Sequence, residues 1–196
     1  MNSDFDSILE IFPTFSEKDR LDIIENLNKN LNSISYSHRN NGRWENQYID
    51  LSYVNSVKTL FNIAYKTVKK YYDKSTLVPC KEFGFKKNEF WFNISTPNES
   101  TGWHDHKQNS LFSGIYYLKV PPLSGDLKFR KKNLEGWDEL KIRAVEGKMV
   151  LFKSELSHSV NRNNSLSKRV SLAFNMFAFP VELGTDNSDY TRNNFY

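Results

Sequence analysis

The segment 169–175 of this chain has the sequence RVSLAFN. Neighbouring side chains of a β-strand point to opposite faces, so a strand here has an apolar face made of Val170, Leu172 and Phe174. The opposite face carries Arg169, Ser171, Ala173 and Asn175. An arginine on the inner face of a β-domain is costly unless an anion meets it, and its guanidinium suits a carboxylate. The segment therefore predicts a core strand with an anion-binding arginine.

The rest of the sequence shows helical periodicity first and strand periodicity later. Apolar residues recur at helical spacing after the capping-box sequence Ser16–Asp19 and again over residues 52–73. From residue 80 onward, short aromatic and β-branched runs alternate with turns rich in Pro, Gly and Asn. This order indicates a mainly β protein, a sandwich or barrel supported by N-terminal helices. The predicted strands cover Phe83, Phe85 and 90–94, then 111–120, 125–129, 140–145, 149–152 and 169–179.

A polar stretch separates the two predicted helices. Residues 35–48 contain the turn sequence Asn40-Asn41-Gly42, and we expect a loop there. Long loops often cover an active site, so Arg39, Arg43 and Trp44 are candidates for contact with a substrate.

Composition limits the function classes. The chain has 196 residues and a single cysteine, Cys80, which excludes an intrachain disulfide and a cysteine-based zinc site. The N-terminus is acidic and no apolar run approaches the ~18 residues of a membrane span, so we expect a cytoplasmic protein without a membrane segment. The net charge of +4 is too small to indicate a nucleic-acid partner, although it does not exclude one. Nothing in the sequence indicates an oligomeric state.

Three of the four histidines fall in two short segments. On a strand, His104 and His106 would share one face, and His158 is the candidate for a third ligand from a neighbouring strand. Neutral imidazole binds iron, copper, zinc and nickel. A single His-x-His pair is weak evidence, because many such pairs are surface histidines; the nearby arginine strand strengthens the prediction of a metal site.

Several spaced motifs together resemble a known family. The sequence is similar to the Fe(II)- and 2-oxoglutarate-dependent oxygenases, within them to the prolyl-hydroxylase-like branch, and there to a small group common in marine bacteria and phages. The motifs that carry this resemblance are Trp91-Phe92-Asn93-Ile94, His104-Asp105-His106, Ser113-Gly114-Ile115-Tyr116-Tyr117-Leu118, His158 and Arg169-Val170-Ser171.

The resemblance implies a double-stranded β-helix, a cupin-like jelly-roll with the metal between its two sheets. It implies one domain over residues 1–196, with 1–75 as mostly helical support and 80–180 as the jelly-roll. The implied cofactors are Fe(II), 2-oxoglutarate and O₂, and the implied reaction is hydroxylation of a small molecule or peptide with release of succinate and CO₂. Arg169, Ser171 and Tyr117 would bind the far carboxylate of 2-oxoglutarate, and Asn93 and Asn175 are further candidates for cofactor contact.

The sequence departs from the family pattern at one ligand. The family has Asp or Glu two positions after its first histidine, where this chain has His106. Three interpretations remain open at this point: a site of His104, His106 and His158, a bulge that lets Asp105 bind the metal, or a site that has lost its metal.

Two other functions compete with the oxygenase. A three-histidine dioxygenase of the cupin kind would explain the histidines without 2-oxoglutarate, but it leaves Arg169 and Ser171 unexplained. A non-catalytic jelly-roll binding module would make the clustered histidines accidental.

Overall fold

A computed structural model of the chain describes residues 4–37, 39–40, 43–44, 46–106 and 110–179. The helices are α1 (Glu17–Lys29) and α2 (Val57–Tyr72), and short 3₁₀ helices cover Asp4–Ser7, Leu31–Ser33, Leu51–Val54 and Lys81–Phe83. The strands are β1 (Leu9–Ile11), β2 (Ser35–Tyr36), β3 (Arg39–Asn40), β4 (Arg43–Trp44), β5 (Gln47–Tyr48), β6 (Thr76–Leu77), β7 (Phe90–Ser95), β8 (Thr101–His104), β9 (Phe112–Lys119), β10 (Leu127–Lys132), β11 (Trp137–Ile142), β12 (Met149–Lys153), β13 (Ser157–Val160) and β14 (Arg169–Ala178).

Both predicted helices are present. The side chain of Ser16 accepts a hydrogen bond from the backbone N–H of Asp19 at 3.0 Å, which caps the start of α1. The second helix buries one apolar stripe, as its periodicity predicts. The buried residues of this stripe are Val57, Leu60, Phe61, Ala64 and Val68.

The strands form two antiparallel sheets and a small β3–β4 pair. The large sheet has the order β1-β12-β9-β14-β7-β5-β2, with β6 paired to β14, and the small sheet has the order β11-β10-β13-β8. One face of the large sheet packs on the helices in a core that includes Leu172 and Phe174. The other face shares a second core, including Val150 and Phe129, with the small sheet. This is the expected jelly-roll supported by helices.

The face assignment predicted for RVSLAFN is confirmed. Val170, Leu172 and Phe174 lie in the helix-side core, while Arg169 is only 2% exposed on the opposite face. In the paired strands, Ser171 stands opposite both Asn93 of β7 and Tyr117 of β9. Side chains directly opposite each other in an antiparallel sheet share a face, so these residues form one row between the two sheets.

Two local predictions were wrong. Phe83 and Phe85 are not in a strand, because Gly84 between them has φ +85° and closes a short 3₁₀ helix. The predicted loop 35–48 contains β2 and β5, which extend the edge of the large sheet through the pairing of Gln47 with Phe92. Two-residue strands are too short for alternation to be visible in the sequence. The side chains of Arg39, Arg43 and Trp44 lie outside the described part of the structure.

Among the described residues, no helix is both long enough and apolar enough to cross a lipid bilayer.

The close packing of β9 on β14 gives a first prediction. A Cβ added to Gly114 would lie 2.3 Å from the Phe174 ring, which is fully buried. Gly114→Ala should therefore lower the free energy of unfolding by about 1–3 kcal/mol, measured by urea denaturation. Gly102→Ala is the control, because a Cβ added there would have no neighbouring atom within 4 Å. Equal stability of the two variants would contradict this account of the packing.

Candidate active site

The three clustered histidines come together at the edge of the small sheet. His104 on β8 stands directly opposite His158 on β13. Each of the three histidines offers one ring nitrogen, and these nitrogens all lie within 4.8 Å of one another. The predicted convergence of His104, His106 and His158 is therefore present in the structure, and the group has the donor set of a metal site.

The route by which His106 reaches the cluster differs from the one that strand alternation predicts. Strand β8 ends at His104, so His106 is not on the strand and the two-residue alternation does not place it. Instead, its backbone N–H donates to the carbonyl of Ser154 at 2.8 Å. Its ring lies 5.8 Å from the ring of Trp91, measured between centroids. Asp105 is exposed and is not part of the cluster of ligand atoms.

Hydrogen bonds set the tautomer of two of these histidines. The Nδ1 atom of His104 lies 2.9 Å from the carbonyl of Gly102, and that of His158 lies 2.9 Å from the carbonyl of Leu156. A carbonyl oxygen can only accept, so Nδ1 carries the hydrogen in both rings. In the neutral rings the Nε2 lone pairs are then left for a metal ion.

Burial also keeps the rings of His106 and His158 in the neutral form. Burial, followed by the charge of His104, lowers the pKa of His106 to about 4. The same two causes hold the pKa of His158 well below its ordinary value. Both rings are therefore neutral at pH 7, and a neutral imidazole is the form that binds a metal.

A cavity of about 260 Å³ lies against the three histidines, between the two sheets. Its wall on the large sheet includes Asn93 and Asn175, two of the predicted cofactor contacts. Phe152 also lines it and packs its ring against His158, with 4.9 Å between ring centroids. The cavity thus combines polar amides with apolar walls beside the ligand cluster.

The other predicted cofactor contacts form a separate group on the same sheet face. Arg169, Ser171 and Tyr117 are buried and do not line this cavity. The Nη1 atom of Arg169 donates to the carbonyls of Ser124 at 2.7 Å and Gly125 at 3.1 Å, which holds the guanidinium in place. Burial raises the pKa of Tyr117 and the nearby charge of Arg169 opposes this rise, so the phenol stays protonated and can donate.

Two buried hydroxyls beside Arg169 have no hydrogen-bond partner in the described residues. They are Ser95 Oγ and Ser124 Oγ. Ser95 stands opposite Arg169 in the β7–β14 pairing, and Ser124 provides a carbonyl to its guanidinium. Buried polar atoms are normally satisfied, so this group has donors to spare for a bound anion.

Glu89 is a residue of the site that the sequence did not lead us to expect. It is 8% exposed, and its Oε2 accepts a hydrogen bond from Asn175 Nδ2 at 3.1 Å. Burial raises the pKa of its carboxyl to about 8. The sequence did contain a signal for Glu89, because Glu89, Trp91 and Asn93 are two residues apart and their side chains share the inner face. The aromatic run that predicts β7, however, begins one residue after Glu89, at Phe90.

Residues 89–141 match a family model described as "Putative 2OG-Fe(II) oxygenase", where 2OG is 2-oxoglutarate, also called alpha ketoglutarate. The matched segment includes His104 and His106, whereas His158 and Arg169 lie beyond it. No protein with a curated description matches the sequence.

Solved structures share the fold over most of the chain. The non-heme, alpha ketoglutarate dependent epimerase SnoN from nogalamycin biosynthesis has a TM-score of 0.69 at 11% identity, covering 96% of this chain and 89% of its own. A prolyl-4-hydroxylase from Pseudomonas putida has a TM-score of 0.57 at 14% identity, covering 89% and 90%. A prolyl hydroxylase from Trichoplax adhaerens, in complex with a hypoxia inducible factor peptide fragment, has a TM-score of 0.63 at 11% identity, covering 87% and 84%. These likenesses establish the double-stranded β-helix.

The buried carboxyl predicts a pH dependence of stability. The pKa of Glu89 is about 8 in the folded chain against an ordinary value of 4.5, so between these values the folded state holds the extra proton. Its stabilising contribution is complete below pH 4.5 and is lost as the pH rises through about 8. Between about pH 7 and pH 8 the loss should be about 1 kcal/mol.

Urea denaturation of chelator-treated protein across that window tests this expectation. The window lies above the ordinary histidine pKa, so His106 and His158 contribute little to the slope. Glu89→Gln cannot titrate and should remove the loss, whereas Glu82→Gln, at an exposed acid that pairs with Lys58, should keep it. A wild-type slope that survives Glu89→Gln would contradict the assignment.

Proposed function

We propose that this chain is an Fe(II)- and 2-oxoglutarate-dependent oxygenase, similar to the family whose model matches residues 89–141, and that it hydroxylates an unactivated C–H bond of a small molecule or peptide. The cofactors of such oxygenases are Fe(II), 2-oxoglutarate and O₂. The observation that carries the proposal is the cluster of three imidazoles, with ligand atoms within 4.8 Å of one another and open to a cavity between the sheets.

The residues present fit an Fe(II) ion. His104 and His158 have their Nδ1 atoms bound to backbone carbonyls, and burial keeps His106 and His158 neutral. These three side chains would hold the metal through nitrogen, a ligand type that suits iron. Without a carboxylate ligand the ion keeps its full positive charge, which strengthens its attraction for an anionic co-substrate.

The residues around Arg169 fit the far carboxylate of 2-oxoglutarate. A buried guanidinium is stable only when its charge is compensated, and the fork geometry of arginine matches a carboxylate. Ser171 and Tyr117 stand in one row beside it, and the hydroxyls of Ser95 and Ser124 are two further donors with no partner among the described residues. These residues would bind and orient the diacid.

The chain's own residues position the reactants and exclude water. When bound, the metal and 2-oxoglutarate supply the oxidising chemistry, in which O₂ and 2-oxoglutarate are consumed and hydroxylated product, succinate and CO₂ are formed. Asn93 and Asn175 line the cavity and would orient ligands there through their amides. The apolar rings of Trp91 and Phe152 line it too and would exclude water. A cupin-type dioxygenase without 2-oxoglutarate leaves the buried arginine unexplained, and a non-catalytic module leaves the histidine cluster unexplained.

The choice between His106 and Asp105 as metal ligand is directly testable. Mutation of a residue that only hydrogen-bonds to a metal ligand typically lowers metal affinity about 10- to 100-fold. Since His106 would bind the ion directly, His106→Ala should lower the affinity for Fe(II) at least about 100-fold. Asp105→Ala is the matched control and should bind Fe(II) like the wild type, measured by anaerobic calorimetric titration. The reverse pattern would assign the ligand to Asp105 and contradict the three-histidine site.

Arg169 should control binding of 2-oxoglutarate but not of iron. Truncating one partner of a buried charge pair costs about 2–5 kcal/mol, so Arg169→Ala should weaken 2-oxoglutarate binding at least about 30-fold with Fe(II) affinity retained. Arg169→Lys keeps the charge without the fork and should be intermediate. The readout is the metal-to-ligand charge-transfer band during anaerobic titration, and unchanged 2-oxoglutarate affinity would refute the assignment.

A further inference from the structure

A second, larger opening lies beside the cavity of the three histidines. This groove has a volume of about 640 Å³ and shares Asn46 as a wall with the smaller cavity. The shared residue makes the two spaces neighbours, and a groove of this size holds a drug-sized small molecule. Hydroxyl, amide and carboxyl groups line much of it, among them Ser33, Ser35, Ser37, Tyr48, Asn88 and Glu89.

Two sets of contacts connect the groove with the histidine cavity. Glu89 faces the groove and accepts a hydrogen bond from Asn175, which lines the histidine cavity. The ring of Tyr48 lies 6.3 Å from that of Trp91, and Trp91 in turn packs against His106. A molecule in the groove would therefore contact residues one step away from the proposed metal ligands.

The Asn175 side chain is held from both ends. Its Nδ2 donates to Glu89, and its Oδ1 accepts from Ser113 Oγ at 3.0 Å. Ser113 Oγ lies 2.9 Å from Ser154 Oγ, and the backbone carbonyl of Ser154 accepts a hydrogen bond from the His106 N–H. Glu89 is thus fixed in orientation before any ligand arrives, which lowers the entropic cost of binding.

Among the described residues of the groove, the charged side chains lie at its exposed rim and the buried part of its lining is uncharged. Lys81, Lys87 and Asp50 are exposed, so water and salt screen their charges, whereas Asn88 and Glu89 are buried. Burial raises the pKa of Glu89 to about 8, so at neutral pH its carboxyl is mostly protonated. A protonated carboxyl both donates and accepts hydrogen bonds, as do the serine hydroxyls, and such a lining matches hydroxyl groups better than a fixed charge.

We propose that this groove is the substrate-binding site and that the substrate is a neutral, hydroxyl-rich small molecule, such as a polyol or a glycoside, hydrogen-bonded by Glu89. The proposal rests on the oxygenase function above and narrows its substrate class. The aromatic side chains of Tyr48 and Trp91 provide apolar faces for the C–H surfaces of such a molecule, while the serines and Glu89 bind its hydroxyls.

Calorimetric titration of the anaerobic Fe(II)- and 2-oxoglutarate-loaded protein tests the proposal. The neutral probes are sorbitol, methyl α-D-glucopyranoside and maltose, and the charged probes are L-arginine, spermidine and citrate. At least one neutral probe should bind more tightly than every charged one. Glu89→Gln, which keeps a neutral donor and acceptor, should retain the affinity of that probe within about threefold, whereas Glu89→Ala should lose about tenfold, the equivalent of one or two hydrogen bonds.

Two variants guard against a folding artefact. Ser35→Ala changes an exposed hydroxyl on β2 and should weaken the neutral probe by about 2- to 10-fold. Glu82→Ala removes an acid that is ion-paired with Lys58 outside the groove and should leave probe binding unchanged.

The outcomes separate this inference from the oxygenase function. Preferred binding of a charged probe, equal losses for Glu89→Gln and Glu89→Ala, or no binding of any neutral probe would each overturn the proposed substrate class. The charge-transfer band of the loaded protein reports separately on iron and 2-oxoglutarate. Absence of that band with a neutral probe still bound would overturn the oxygenase proposal and not the ligand class of the groove.

Discussion

The central position of β14 in the large sheet is the constraint on which the rest of the structure depends. The strand is paired on both sides, with β7 and β9, and both of its faces are buried. Its alternating sequence separates two tasks, since one face supplies apolar side chains to the core with the helices and the other presents polar groups to the space between the sheets. The hydrophobic effect thereby stabilises a sheet whose opposite side holds costly polar side chains.

The polar face is tolerable because its two largest polar side chains, Arg169 and Asn175, are hydrogen-bonded to backbone carbonyls and to neighbouring side chains. Backbone carbonyls of Ser124 and Gly125 accept from Arg169, and this requires the chain to pass very close to Asn161. Gly125 meets that requirement, because its φ is +94° and a Cβ would lie 2.2 Å from the Asn161 carbonyl oxygen. The anion site proposed around Arg169 thus depends on a glycine far from it in sequence.

Features that follow from local alternation could be predicted from the sequence. The faces of β14 and the two helices follow from side-chain period and are present. His106 illustrates the limit: it was expected in the cluster by strand alternation, and it arrives there through a backbone hydrogen bond to Ser154 beyond the end of β8. Tertiary contacts of this kind leave no periodic trace. Alternation with Trp91 and Asn93 indicates which face Glu89 shares, but its hydrogen bond with Asn175, 86 residues away, cannot be read from that pattern.

The hydrogen bonds of His104 and His158 have a further consequence for the evolution of this protein. In each case the carbonyl that orients the ring belongs to the residue two positions earlier in the same chain segment. The orientation of these two imidazole rings is therefore fixed within a three-residue segment and needs no distant side chain. Substitutions among the serines and amides of the neighbouring groove leave these two imidazoles in place, so under the proposed function selectivity for new molecules can change while the orientation of His104 and His158 is kept.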